Sequence, residues 1–434
     1  MIFMKKDRKV YRTYKSIISS NKESNRNDAS PLKSTENNRI NIGFLLPVPP
    51  SKTGLTNQLE WIGTYSNTGK LTPIIFTDTD EPYPIDNLKV EGIALGIGFP
   101  FSIVKKAKKF TVRLLHIQYN YGYLGFGRGA LLVTSTSLFN LLSTILLSNL
   151  FGIKTVVTLH SVLSEDSLPD NVYPSMHRLF YRLNEIYDKL LLRATNRIVV
   201  FSSQQSEALG ERKSLDKICV IPHFVSPMSI QKRIHEKFTF TFHGYLRPSK
   251  GIDDLLDAYL KLFEQFPETT LIIAGGKHSS ALSRFNDEEL FLEQLRDRIR
   301  RLQSRCSIEF YEGFLTEQQL NDIFLRTDVI VLPYTDRGVE VSGVVSRILD
   351  LHIPLICSQT PRFQSELEDG VTALFFEPRN VSMLYEKMAL LLSDSNLRES
   401  VAKNLEKKIS GRYPCKIAKM HEKLYFEILG IDSN

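Results

Sequence analysis

A chain of 434 residues with 42% hydrophobic and 24% charged residues has the balance of a globular soluble protein and is too long for one ordinary core, so two domains are expected. The net charge of +7 is uneven: residues 1–235 hold 30 Lys and Arg against 18 Asp and Glu, the remainder 25 against 30, so the N-terminal half either meets something anionic or carries a few solvated basic faces. Four scattered cysteines (Cys219, Cys306, Cys357, Cys415) exclude a sequence-local zinc site and a disulfide framework, which fits a reducing cytoplasm.

Residues 1–39 are rich in Lys, Ser, Asn and Arg and read as a flexible basic arm, without the apolar core and cleavage site of a secretory signal. From Asn41 onward short apolar strands alternate with helical stretches. Strands are expected at Ile42–Leu46, Leu71–Phe76, Leu114–Gln118, Thr155–Leu159, Arg197–Phe201 and Ile218–Ile221. The uncharged stretch 129–153 is long enough to span a bilayer, but nine of its 25 residues are Ser, Thr or Asn. Leu138, Leu142, Ile145, Leu146 and Phe151 fall at helical spacing, which predicts an amphipathic core helix and no transmembrane span. Residues 173–197 read as a basic amphipathic helix carrying Arg178, Arg182, Lys189, Arg193 and Arg197, suited to an anionic membrane surface or to covering the sheet.

A polar stretch at 226–237 interrupts the pattern, which then restarts. Strands are expected at Phe238–Phe242, Thr270–Ile273, Ile308–Tyr311, Val329–Leu332, Leu355–Cys357 and Ala373–Phe375, with helices over 251–266, 287–303 and 316–326 between them. The alternation predicts an α/β protein of two doubly wound Rossmann-like domains facing a cleft, at 40–230 and 236–412, with a C-terminal helix in 413–434 packing back towards the first. In such sheets ligands bind outside the carboxyl ends of the strands.

The most informative stretch is Phe238–Phe263. A strand ends at His243-Gly244, a loop carries Arg247 and Lys250, and Gly251 starts a helix with Asp253 and Asp254 in its first turn. Arginine offers a planar fork of donors, lysine a point charge, and glycine allows close backbone approach, so the loop suits a diphosphate. A solvated basic loop is the plain alternative.

Gly244-Tyr-Leu-Arg-Pro-Ser-Lys250-Gly251 resembles the G-x5-K-G loop of retaining GT-B glycosyltransferases, the family 4-like, group 1 class typified by sucrose synthase and phosphatidylinositol mannosyltransferase. The resemblance continues through Leu271–Gly276, Tyr311-Glu-Gly313, Thr327–Tyr334, Glu340-Val-Ser342-Gly343 and Glu366–Phe375, in order over about 190 residues. In the first half it is looser. Leu46–Gly54 is similar to the family's glycine loop, with Gly54-Leu55 in place of two adjacent glycines. His116–Gly122 and Val156–Leu163 are similar to patterns read as HxQxExG and TLHTVL, with Asn120 where glutamate is usual, and Asn196–Ser203 and Val220–His223 continue the match.

The resemblance implies transfer of a sugar from a nucleotide diphosphate to an acceptor hydroxyl, on a glycan or lipid-linked glycan, with retention at the anomeric carbon. Arg247 and Lys250, with Gly54 and the backbone at Gly343 and Val344, would meet the donor diphosphate; Gly244, Gly251, Gly313 and Ser342 would shape its loops. Glu340 would grip the donor sugar and His160 orient hydroxyls or shuttle a proton, while His116 and His223 read as structural. No cofactor and no divalent metal is expected, Asp78 and Asp80 reading as a loop. Arg347 stands where the family usually has a ribose-binding glutamate, and His352 where it has glycine; the only nearby carboxylate is Asp350. The alternative is a catalytically silent relative that binds sugar nucleotides or serves as a scaffold. Nucleic acid is not an expected partner, since no recognised motif accompanies the charge. The expected location is cytoplasmic, including the cytoplasmic face of a membrane.

Overall fold

The structure, a computed structural model, describes residues 39–48, 54–65, 70–79, 82, 84–85, 87–120, 123–125, 130–162, 174–210, 215–227, 237–277, 285–313, 315–336 and 343–432. It divides into two units. One comprises Met1–Val162, Val172–Phe224 and Pro414–Asn434, and the other centres on Val225–Tyr413.

The first unit is a seven-stranded sheet of β1 (Ile40–Leu45), β2 (Leu71–Thr77), β3 (Lys89–Gly92), β4 (Leu114–Tyr119), β5 (Lys154–Leu159), β6 (Arg197–Val200) and β7 (Ile218–Val220). Every pairing is parallel and the order is β3-β2-β1-β4-β5-β6-β7. The expected strands are all present. The one not foreseen, β3, is a polar edge strand (KVEG) whose register on β2 runs from Lys89 opposite Ile74. It buries too little to leave an apolar run in the sequence.

Four helices follow strands that each step towards β7: α1 (Phe99–Lys109), α2 (Ala130–Leu150), α3 (Pro174–Ala194) and the short Ser203–Gly210. Right-handed crossovers in one direction place all four on the same face of the sheet. The short helix Leu59–Ile62 belongs to a crossover in the opposite sense and covers the other face, beside the C-terminal helix Pro414–Leu429. That last helix buries Ile417, His421, Leu424 and Tyr425 among Phe44, Trp61 and Tyr65.

Helix α2 is the one segment, among the described residues, long and apolar enough to cross a membrane by length and composition, and 39% of its Val133–Leu150 window is buried. Its orientation corrects the expectation for its apolar positions. Ile145 is buried and Leu138 and Leu142 are half-buried, but Leu146 and the following Phe151 are 53% and 49% exposed. The buried positions include the small polar residues Ser137, Asn140, Thr144 and Ser148. Asn140 Nδ2 donates to Leu124 O at 2.8 Å, and the Ser137 and Tyr119 hydroxyls meet at 3.0 Å, so polar groups tie this helix to the unit.

The second unit is a six-stranded parallel sheet in the order β10-β9-β8-β11-β12-β13, built from β8 (Phe238–His243), β9 (Thr269–Gly275), β10 (Ile308–Glu312), β11 (Val329–Leu332), β12 (Leu355–Ser358) and β13 (Leu374–Phe376). Its helices include α4 (Ile252–Gln265), α5 (Phe285–Gln303), α6 (Glu317–Phe324) and the six-residue α7 (Gly343–Ile348). Strands such as VIVL of β11 are buried throughout, as a sheet covered on both faces requires. Helix α6 starts with a capping box: Thr316 Oγ1 accepts from Gln319 N, and Gln319 Oε1 accepts from Thr316 N.

Candidate functional site

In the second sheet the strand order reverses between β8 and β11, so loops leaving their carboxyl ends flank the place where doubly wound sheets bind ligands. The β8 loop turns through a single 3-10 turn, Pro248–Lys250, and enters α4 at Gly251. Gly251 adopts φ +63, and a Cβ there would lie 1.8 Å from Pro333 O, so only glycine allows this approach to the β11 loop. Thr335 N donates to Ser249 O at 3.0 Å and ties the two loops together. Gly244 and Gly313 end β8 and β10 at φ 156 and 123, and a Cβ on Gly275 would meet Gly244 O at 1.7 Å.

This framework gathers three cations around one carboxylate. Asp336 lies 3.7 Å from Arg247, 3.7 Å from Lys250 and 3.2 Å from Arg362, which follows β12. Lys250 and Arg362 are each 6% exposed in their side chains, and Lys250 Nζ sits 3.4 Å above the centre of the Tyr334 ring. Burial would raise the Asp336 carboxyl, but Lys250, Arg362 and Arg247 outweigh it and hold the group below the ordinary aspartate value. Three buried or half-buried positive charges converging at the carboxyl ends of these strands suit an oligo-anion. Sequence reasoning singled out Arg247 and Lys250 but missed Asp336 and Arg362. Asp336 lies two residues beyond the Pro333-Tyr334 motif, and an acid just past that motif was the available signal.

Glu340 and Ser342 lie outside the described residues. Gly343 and Val344 open α7. Arg347, on α7, pairs with Glu317 in the first turn of α6, and its charge, second to burial, holds the His243 imidazole down at about 4. Asp350 accepts the Tyr413 hydroxyl at 2.6 Å. Both candidates at the expected ribose position are thus engaged within this unit. His352 adopts φ +52, the left-handed conformation for which the glycine usual in the family is suited. Glu366, in the tail of the motif series, forms a buried pair with Arg412 at 2.7 Å.

In the first unit the reversal lies between β1 and β4. Gly54, past the end of β1, opens the 3-10 turn Gly54–Gln58. His160 follows β5, its backbone N–H bonded to Tyr119 O at 2.9 Å and its ring edge-on to Phe201. Its Nε2 donates to Gln118 Oε1 at 2.8 Å. Gln118 Nε2 turns to His116 Nε2 at 3.3 Å, which also receives the Thr158 hydroxyl at 2.6 Å. His116 Nδ1 then donates to Tyr425 OH at 2.5 Å, Tyr425 bonds Tyr65, and Tyr65 OH donates to Ala418 O at 2.7 Å. The chain of bonds fixes one tautomer at each ring and leaves His160 Nδ1 as a hydrogen-bond acceptor. Burial lowers the pKa of both His116 and His160 well below the usual imidazole value, so both are neutral at pH 7.

His223 is held in the same manner. Trp61 Nε1 donates to Gln58 Oε1, Gln58 Nε2 to His223 Nε2 at 3.1 Å, and His223 Nδ1 to Phe224 O at 2.9 Å. With both nitrogens used, His116 and His223 are internal struts, as the sequence suggested. Asn120, in place of the usual glutamate, accepts the Ser161 hydroxyl at 2.6 Å. Asp78 is raised by burial, and Asp80 lies outside the described residues.

Comparison with known proteins gives these features a context. The family model for glycosyl transferases group 1 matches residues 228–408. An uncharacterized glycosyltransferase of Bacillus subtilis (strain 168), YqgM, is 26% identical over 175 residues, 37% of this chain and 46% of that protein. The alpha-D-kanosaminyltransferase of Streptomyces kanamyceticus is 24% identical over 162 residues, 37% of this chain and 38% of the relative. The matches to these two relatives therefore span less than half of their length. Among solved structures, Anabaena HepE in complex with UDP-glucose superposes with a TM-score of 0.65 at 15% identity, covering 90% of this chain and 100% of that one. The chain thus resembles the GT-B glycosyltransferases in its two parallel α/β units and in the group 1 match over 228–408.

Proposed function

We propose that the protein is a retaining glycosyltransferase that moves a sugar from a nucleotide diphosphate sugar to an acceptor hydroxyl on a glycan or lipid-linked glycan. The observation that carries this reading is the Arg247–Lys250–Arg362 cluster around Asp336, at the carboxyl ends of the strands where the second sheet reverses. As the bond between the anomeric carbon and the diphosphate breaks, negative charge grows on the leaving group. Fixed cations with little exposure stabilise that charge without reorganising, and they supply what a divalent metal would otherwise provide. The reading is therefore of metal-independent transfer. The UDP-glucose bound by HepE is consistent with a nucleotide-sugar donor of this kind.

Glu340 is assigned to the hydroxyls of the donor sugar, and His160, through its Nδ1 acceptor, to a hydroxyl of sugar or acceptor. A neutral His160 orients a hydroxyl and accepts its proton; it is not a cationic acid. With Arg347 and Asp350 engaged inside the unit, the nucleotide ribose is assigned to other groups.

A screen of nucleoside diphosphates and nucleotide sugars by thermal unfolding, with EDTA present, tests the donor assignment. A true donor at a hundred times its dissociation constant stabilises by about 2.7 kcal/mol. Turnover of the stabilising donor, compared between the native protein and Glu340→Ala, then tests the chemistry; equal rates would remove Glu340 from the mechanism.

A further inference from the structure

Nine of the thirteen large hydrophobic side chains exposed among the described residues lie on, or next to, α1, α2 and α3, three of the four helices on one face of the first sheet. On α3, Leu183, Ile186 and Leu190 follow one another at helical spacing, 43–56% exposed. On α2, Phe139, Leu146 and Leu150 do the same, 51–76% exposed, while Ser137, Asn140, Thr144 and Ser148 of that helix are buried. Phe101 of α1 is 65% exposed. A core helix of a soluble protein ordinarily buries its leucines and shows its serines. Here α2 buries Leu141 and Ile145 but gives other inward positions to Ser, Asn and Thr and leaves Phe139, Leu146 and Leu150 outside, and its neighbours add their own apolar stripes.

The charges around these stripes are mostly positive; the acids nearby, besides those of α3, are Glu91, paired with Lys106 at 3.1 Å, and the exposed Glu207 on helix Ser203–Gly210 of the same face. Helix α1 carries Lys105, Lys106, Lys108 and Lys109 and no acid, α2 carries no charge, and Arg182 and Arg193 are exposed on α3. Lys108 lies over the Phe151 ring at 4.7 Å, which joins the basic end of α1 to the apolar end of α2. Among the described side chains of these helices the only acids are Glu185, paired with Lys189 at 3.0 Å, and Asp188, which is buried and bonded by Asn184.

We propose that the outer surface of α1, α2 and α3 docks on an anionic lipid bilayer, with the apolar side chains entering the acyl boundary and the lysines and arginines meeting the headgroups. Charge selects this occupant over a second copy of the chain, because two such faces would bring lysine against lysine. The step goes beyond the transferase reading and does not need it: vesicle binding is measured without donor or acceptor.

The experiment is co-sedimentation of the full chain with phosphatidylcholine vesicles and with phosphatidylcholine–phosphatidylglycerol vesicles, at rising salt. Two double variants accompany it, Lys105→Glu/Lys109→Glu and Leu183→Ser/Ile186→Ser, all at exposed positions, with unfolding curves to show that the fold is retained. The expected result is binding to the phosphatidylglycerol vesicles alone, weakening with salt. The charge variant should bind at least about 20-fold more weakly, at about fivefold for each basic residue lost, and the apolar variant about tenfold or more. Three outcomes overturn the proposal: equal binding to both vesicle types, binding unchanged in both variants, or a dimer in solution that Leu183→Ser/Ile186→Ser dissolves.

Discussion

Replacing Asp336 by asparagine should move stability and ligand affinity in opposite directions. The native carboxylate stands 3.2–3.7 Å from three cations. At an effective dielectric of about 20, each contact is a gross attraction of about 4–5 kcal/mol. Desolvating the four groups offsets much of that sum, and Arg247 and Asp336 keep part of their exposure (33% and 21%). Removing one partner of a buried cluster still costs about 3 kcal/mol, because the remaining cations lose their counter-charge. For a unit of this size that is about 6–12 °C in the midpoint of its transition. The local charge becomes more positive by one, however, so a diphosphate should bind Asp336→Asn about tenfold more tightly, a gain of about 1–2 kcal/mol. Thermal unfolding against pyrophosphate and a series of nucleoside diphosphates reads both effects from the same curves. The reasoning is refuted if the ligand-free midpoint is unchanged, or if affinity falls along with stability.

Gly251→Ala should destabilise the second unit by more than about 2 kcal/mol in denaturant unfolding, since alanine meets both the left-handed backbone penalty and the Pro333 carbonyl; a neutral effect would mean that the loop is not held as described. Arg347→Ala should cost only about 0.5–1 kcal/mol, as its pair with Glu317 is 29% and 33% exposed in its two side chains, and a nucleotide that stabilises the native chain should stabilise the variant equally. His116 and His421 are buried and neutral, the latter pushed down to about 3, so the unfolded chain binds more protons below its ordinary imidazole value near 6.5. Stability should therefore fall as pH falls, by about 1.4 kcal/mol between pH 7.5 and 5.5 for each such histidine, His160 and His243 adding to the drop, and a flat profile would contradict the buried network. Tyr425→Phe removes the acceptor of His116 Nδ1–H; nitrogen-15 spectra should show His160 protonated at Nε2 in the native chain and a mixture of tautomers in the variant.

Much of the fold is legible in the sequence because parallel strands buried on both faces leave short apolar runs, and all twelve expected strands have counterparts in the two sheets. What escaped notice follows from the same physics. The edge strand β3 is half-exposed and polar, so it leaves no run. Helix α2 was readable as a helix, but periodicity does not say which face a sheet accepts, and its Ser137 and Asn140 found partners inside. At the site, Arg247 and Lys250 are visible because their loop has a motif, whereas Asp336 comes from the segment after β11 and Arg362 from the short helix Pro361–Gln364 after β12, which only the sheet brings together. Gln118, His116 and Tyr425 are separated by up to 309 residues, and no local pattern announces that they share protons. Arg347 conflicts with the family pattern in the sequence, and the structure supplies its use in the pair with Glu317.

The central claim is that the cations gathered after β8 and β12 hold the diphosphate of a sugar donor. Calorimetric titration of nucleoside diphosphates against the corresponding monophosphates, on the native chain and on Arg362→Ala, tests it most directly. Arg362 is the informative position because the sequence motif does not include it. The account predicts that one diphosphate binds, its monophosphate binds at least about tenfold more weakly, and Arg362→Ala loses about tenfold or more towards the diphosphate alone. Equal binding of mono- and diphosphate, or full diphosphate affinity in Arg362→Ala, would contradict it.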